Sequence, residues 1–77
     1  MDTISSYTQI HKNDYEAHKE FIQEQLRLLI MHEFNKSSLK ILYKEPNWKT
    51  EKIVEEIIPD DLYGEGFIRV TMRVKTY

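Results

Sequence analysis

Thr50–Asp61, TEKIVEEIIPDD, admits two readings, and the fold depends on which one holds. Ile53, Val54, Ile57 and Ile58 recur at i, i+1, i+4 and i+5, a stripe on a helix, yet all four are β-branched, as strands prefer. Strict alternation in a strand places Glu55 between Ile53 and Ile57, and Glu56 between Val54 and Ile58. Either face turned inward then carries a glutamate, which calls for a bulge or a sheet margin that the helix leaves uncovered. The flanking segments favour the strand. LKILYK (Leu39–Lys44) alternates Leu39, Ile41 and Tyr43 with Lys40, Leu42 and Lys44. GFIRVTMRVKTY (66–77) sets Ile68, Val70, Met72 and Val74 against Phe67, Arg69, Thr71, Arg73 and Lys75, one buried row and one solvated row. An acidic strand between two basic ones forms opposite-charge cross-strand pairs worth roughly 0.2–1 kcal/mol each. Pro59 ends the element in either case.

Upstream, NDYEAHKEFIQEQLRLLIMHEFNKSS predicts one long helix from a cap at Asn13 to about Asn35, with Asp14 and Glu16 at the positive end of the helix dipole. Tyr15, His18, Ile22, Leu26, Leu29 and Ile30 share a face, with Phe34 at its margin, and form the expected core stripe. Ala17, Phe21, Leu28 and Met31 gather on nearly the opposite side as a short seam, interrupted by Glu24. A single sheet layer covers only one of these faces. Loops or the N-terminal segment cover the seam in one reading; a protein partner or a second copy covers it in the other.

The expected architecture is therefore α+β: one long N-terminal helix packed on a three-stranded antiparallel meander, with 50–58 as the central strand. The alternative places a second helix at 50–58, giving α-β-α-β. Residues 1–77 form a single small domain, and 1–12 are expected to be a loosely ordered N-terminal arm or an extra helical turn.

A chain of 77 residues buries only about 60% of the surface its unfolded form exposes, so outside support matters. With no cysteine, disulfides and thiolate-ligated zinc are excluded as that support, which leaves self-association or a partner. The 40% hydrophobic and 31% charged content is that of a folded chain, and a net charge of -2 argues against a general nucleic-acid binder. Residues 1–10, MDTISSYTQI, have neither the basic nor the apolar region of a secretory leader, and no apolar run reaches the roughly 18 residues of a membrane span. A cytoplasmic protein with no membrane attachment is expected. Abundant Ile, Lys, Glu and Tyr, beside one alanine, suit an AT-rich coding sequence of a low-GC bacterium or its phage.

No constellation for chemistry emerges. His11 and His18 on a continuous helix would stand about 10 Å apart, too far to share an ion, and HExxH-type spacing is missing. PDDLYGEG (59–66) is acidic but lacks the alternating ligands of a calcium loop, and its two glycines are too few for a phosphate loop. The serines lie outside any nucleophile-elbow setting. No catalytic residue, metal or cofactor is expected, and the chain is read as no enzyme.

Two contact surfaces remain. The leading expectation is a small adaptor or inhibitor that binds an unidentified protein, or itself, through Phe21, Leu28 and Met31, with Trp48 and Tyr63 as loop anchors, since aromatics are enriched at binding hot spots. The alternative is a nucleic-acid-binding regulator that uses Lys40, Lys44, Arg69, Arg73 and Lys75 as a basic sheet face. Glutamates of 50–58 that neutralise those rows weaken that alternative.

Overall fold

The computed structural model describes residues 3–58 and 66–76. In chain order these form β1 (Thr3–His11), α1 (Lys12–Ala17), α2 (Lys19–Lys36), a short 3₁₀ turn (Ser38–Ile41), β2 (Asn47–Ile58) and β3 (Phe67–Lys75). The fold is α+β, with a long helix on a three-stranded antiparallel sheet. The strand order is β1-β3-β2, so the sheet is not the expected meander.

β3 takes the centre because it has the cleanest alternation. Ile68, Val70, Met72 and Val74 are all buried and face the helix layer, where Tyr15, Leu26 and Ile30 complete the core and Ile4, Ile10, Ile22, Trp48 and Ile53 pack at its edges. Four fully apolar side chains on one row are what a central strand buried by a helix requires. The stretch 50–58 is a strand, part of β2, but it runs along the margin and not through the middle.

The third strand comes from the segment expected to be a loose arm. Thr3–His11 pairs with β3 in an unbroken antiparallel register from Thr3↔Lys75 to His11↔Phe67. Its inward row is Ile4, Ser6, Thr8 and Ile10. Ser6 is buried, and its hydroxyl donates to the Leu26 carbonyl of α2 at 2.9 Å, so a small polar side chain lets the helix come close. β1 and β2 take the two places beside β3, and Leu39–Lys44 does not join the sheet. That segment folds instead into consecutive turns, in which the Leu42 and Tyr43 amides donate to the Leu39 carbonyl at 3.0 and 2.8 Å. Ile41 and Leu42 are left exposed.

The helix also differs from expectation. His18, at φ -130° and ψ 33°, breaks it into α1 and α2. His11 caps α1 in place of Asn13: its Nδ1 accepts from the Asn13 amide at 3.2 Å. At the other end, α2 runs through Lys36 and stops at Ser37, whose amide and hydroxyl both donate to the Phe34 carbonyl. Tyr15, Leu26, Ile30 and Phe34 are buried as the core stripe predicted, whereas His18 and Leu29 are exposed. Among the described residues, no helix is long and apolar enough to cross a membrane.

Candidate functional site

The helix seam is open to solvent over most of its length. Phe21 is 63% exposed and Leu28 55%, while Met31 is half-buried. Leu28 and Met31 meet Trp48, at the start of β2, in a shallow groove of about 380 Å³ that Glu24, Arg27 and Glu51 complete. Three of the residues expected at a contact surface are thus brought together by two elements far apart in sequence. Phe21 stands two helical turns from Leu28, about 10 Å along the axis, and does not line this groove. Tyr63 lies outside the described residues.

Charged groups fix the wall of the groove. The Arg27 guanidinium donates through Nε and Nη2 to Glu51 Oε1, at 3.0 and 2.8 Å, and through Nη1 to Glu24 Oε2 at 3.2 Å. The hydrogen bonding that Arg27 donates to Glu51 is the main cause that raises the Arg27 pKa above its ordinary value, against desolvation. Glu24, the residue that interrupts the seam in sequence, is therefore held in the same cluster. Trp48 presents one side to the core and donates from Nε1 to Glu45 Oε2 at 3.0 Å, which fixes the indole orientation. Such a tryptophan offers a rigid apolar surface at little entropic cost.

The sheet face away from the helices forms the second surface. Register sets it in rows: His11–Phe67–Ile58, Gln9–Arg69–Glu56, Tyr7–Thr71–Val54 and Ser5–Arg73–Lys52. Arg69, Arg73 and Lys75 lie on it as expected, joined by Lys52, which sequence reasoning did not single out. Lys40 and Lys44 do not: they fall in the 3₁₀ turn and the loop after it. Tyr7, 65% exposed, stands near the middle, and the His11 ring meets Phe67 edge-on at 5.7 Å between centroids.

The glutamates of β2 divide between the two faces. Glu51 reaches Arg27, and Glu55 pairs with Lys19 at 3.5 Å, so both lie on the helix side. Glu56 alone faces the outer rows, opposite Arg69. With its amide oxygen turned toward Arg69, Gln9 accepts from the guanidinium at 2.7 and 3.1 Å. Among the described residues no salt bridge reaches Lys52, Arg69, Arg73 or Lys75, and Arg73 stands across from Lys52, a like charge. The expected neutralisation of the basic rows is thus confined to one register pair.

A larger hollow, about 590 Å³, lies beside the outer edge of β1 and is lined by residues including Ile4, Leu29, His32 and Leu39. Neither it nor the exposed Ile41 and Leu42 was anticipated, because both depend on where β1 settles. Among the described residues, no group of three or more His, Asp or Glu side chains is placed to hold a metal ion. No protein-family model, curated protein or solved structure matches the chain.

Proposed function

We propose that this chain is a small non-catalytic interaction module, an adaptor or inhibitor, that docks a protein partner on the outer side of α2. The observation that carries the reading is the groove shared by Leu28, Met31 and Trp48, flanked by an Arg27 already committed to Glu51 and Glu24. An apolar floor with a bulky aromatic wall and a satisfied polar rim is the arrangement found at the centre of protein interfaces, where a few well-packed residues dominate affinity. Phe21 extends the same helix face and enlarges the contact. The direct test is recovery of partners by the tagged chain from its native host. Leu28→Asp and Phe21→Asp, both at exposed positions, are expected to leave the circular dichroism spectrum unchanged and to abolish recovery of the partner. Undiminished recovery by both variants would remove the helix groove from consideration.

A second reading is favoured by one specific observation: Glu51 and Glu55 turn to the helix side, so Lys52, Arg69, Arg73 and Lys75 face the open sheet with Glu56 the one acid of β2 on that face among the described residues. Tyr7 and Phe67 supply rings on the same surface, and a basic sheet with stacking residues suits single-stranded nucleic acid. Salt titration with a mixed-sequence single-stranded oligonucleotide distinguishes the two readings. Phosphate-driven binding weakens steeply with salt and is lost in Arg69→Glu and Arg73→Glu, whereas docking on the helix groove is insensitive to both.

A further inference from the structure

We propose that the free edge of β1 pairs with the β1 edge of a second copy of this chain, joining two three-stranded sheets into one of six strands. This goes beyond the helix-groove reading and does not depend on it.

The sheet has two outer edges, and they are built differently. β2 carries Lys49, Glu51, Lys52, Glu55 and Glu56, and its register slips between Asn47↔Lys75 and Lys52↔Arg73, five residues along β2 against two along β3. Charges and irregular register are how natural sheets discourage edge-to-edge pairing. β1, TISSYTQIH, has no Lys, Arg, Asp, Glu or Pro, and its register with β3 is unbroken for nine residues. Thr, Ile and Tyr also favour strand geometry. One edge is protected and the other is not.

The ladder identifies which groups are presented. The Lys12 amide donates to the Gly66 carbonyl at 3.2 Å, continuing the β1 register by one residue. On an antiparallel strand, alternate residues bond to the same neighbour, so Ile4, Ser6, Thr8 and Ile10 direct their N–H and C=O groups to β3. Thr3, Ser5, Tyr7 and Gln9 direct theirs outward. The Lys75 amide agrees: it points away from β1 and donates to Thr50 Oγ1 at 2.8 Å.

A second copy fits this edge better than an unrelated strand does. Two identical charge-free edges meet about a two-fold axis without like-charge repulsion, and full overlap of Thr3–His11 centres that axis on Tyr7. Ser5 then lies opposite the partner's Gln9, the two Tyr7 rings adjoin on the outer face, and Ile4 lies opposite the partner's Ile10 on the helix side. Leu29 was read as a core residue from its place on the helix, yet it is 51% exposed and lines the hollow beside this edge. Full overlap sets Thr3–Tyr7, which lines this hollow, opposite the partner's Tyr7–His11, so the partner's strand lies along the open side of each hollow. A chain of this size has need of that extra burial.

Sedimentation equilibrium on the full chain is expected to give twice 9.3 kDa. Tyr7→Pro removes an N–H that points outward, a position where an edge strand tolerates proline, and is expected to give a folded monomer. Tyr7→Cys introduces the chain's first cysteine. On mild oxidation it is expected to form a disulfide-linked dimer, because opposed Cα atoms of a hydrogen-bonded antiparallel pair lie about 5.5 Å apart, within disulfide reach. Thr71→Cys, on the central strand, is expected not to cross-link. A single-chain mass for the unsubstituted protein overturns the proposal, as does a failure of Tyr7→Cys to cross-link. A dimer that Leu28→Asp dissociates and Tyr7→Pro does not would place self-association on the helix groove, overturning β1 pairing while supporting the first reading.

Discussion

β2 and β3 lie side by side and are both rich in β-branched residues, but only β3 turns its alternation into a fully buried row. Ile68, Val70, Met72 and Val74 are at most 5% exposed, whereas Ile57 of β2, directly opposite Ile68, is 64% exposed. The difference lies in what stands above each strand. The helices cover β3 and overhang only part of β2, so the inward row of β2 reads Glu51, Ile53, Glu55 and Ile57, of which only Ile53 packs against the core. Carboxylates are tolerated there because α2 supplies Arg27 to Glu51 and Lys19 to Glu55. A glutamate on an inward row thus marks the margin of the covering layer and need not exclude a strand.

The largest expected effect tests the buried half of this contrast. Met72→Ala empties a fully enclosed site and is expected to cost roughly 2–5 kcal/mol in denaturant unfolding. Ile57→Ala, at the exposed margin, is expected to stay within about 0.5 kcal/mol. Similar losses at both positions would mean that the helix layer extends farther over β2 than the burial of these two side chains implies.

The same contrast shows why some elements were legible in the sequence and others were not. β3 could be read directly, since its row pattern is complete within nine residues. The stretch 50–58 was legible as a strand from its β-branched residues together with charge pairing to two basic flanking strands, although Leu39–Lys44 is not a strand and 50–58 lies at the edge, not the centre. β1 was not, because its inward row is Ile4, Ser6, Thr8 and Ile10 while its largest ring, Tyr7, points outward; hydrophobic alternation is inverted at its middle, and only strand propensity marked it. Leu39–Lys44 failed the opposite way: its residues alternate as in a strand, yet it folds into turns closed on the Leu39 carbonyl and joins no strand. Half of the candidate site was legible for a similar reason. Leu28 and Met31 follow from helical periodicity, whereas their meeting with Trp48 depends on where β2 enters the sheet, and the split of the glutamates between two faces depends on where the helix ends its cover.

Next in size is the contact where α1 meets the margin of β2. The Tyr15 hydroxyl accepts from Gln23 Nε2 at 3.1 Å, and replacement by phenylalanine is expected to cost about 0.5–1.5 kcal/mol at neutral pH. Burial pushes the phenol pKa above its ordinary 10.0, with the Gln23 hydrogen bond opposing the shift and Glu55 adding to it. A raised folded-state value means that the native protein holds this proton more tightly than the unfolded chain. The associated stability is complete below pH 10.0 and is lost as pH rises through the folded-state value. Unfolding measured from neutral to strongly alkaline pH is therefore expected to show a shallower alkaline decline in Tyr15→Phe than in the unsubstituted chain.

A smaller effect is expected from the ion pairs of the β2 margin. A double-mutant cycle on Arg27 and Glu51 is expected to return about 0.5–1 kcal/mol of coupling, since the pair is doubly hydrogen-bonded but partly solvated. The Lys19 and Glu55 cycle should give less, because that contact is longer and its lysine is half exposed. Reversal of this order would place the firmer anchor of β2 at its far end.

The smallest effect on stability falls at Glu56, where the two faces of β2 can be told apart by function. Glu56 is exposed and lies across from Arg69, whose guanidinium is already engaged by Gln9, so Glu56→Ala is expected to change unfolding by no more than about 0.5 kcal/mol. Its electrostatic consequence is less trivial. Removing the one described acid among Lys52, Arg69, Arg73 and Lys75 strengthens the positive field of the outer face, whereas Glu55→Ala alters the helix side. If the outer sheet takes single-stranded nucleic acid, Glu56→Ala raises affinity at low salt, Glu55→Ala leaves it unchanged, and the gain fades as salt is added because exposed charges are screened. If the helix groove is the contact surface, neither variant alters partner recovery, and β2 serves as the wall that holds Trp48 and Glu51 against Leu28 and Met31.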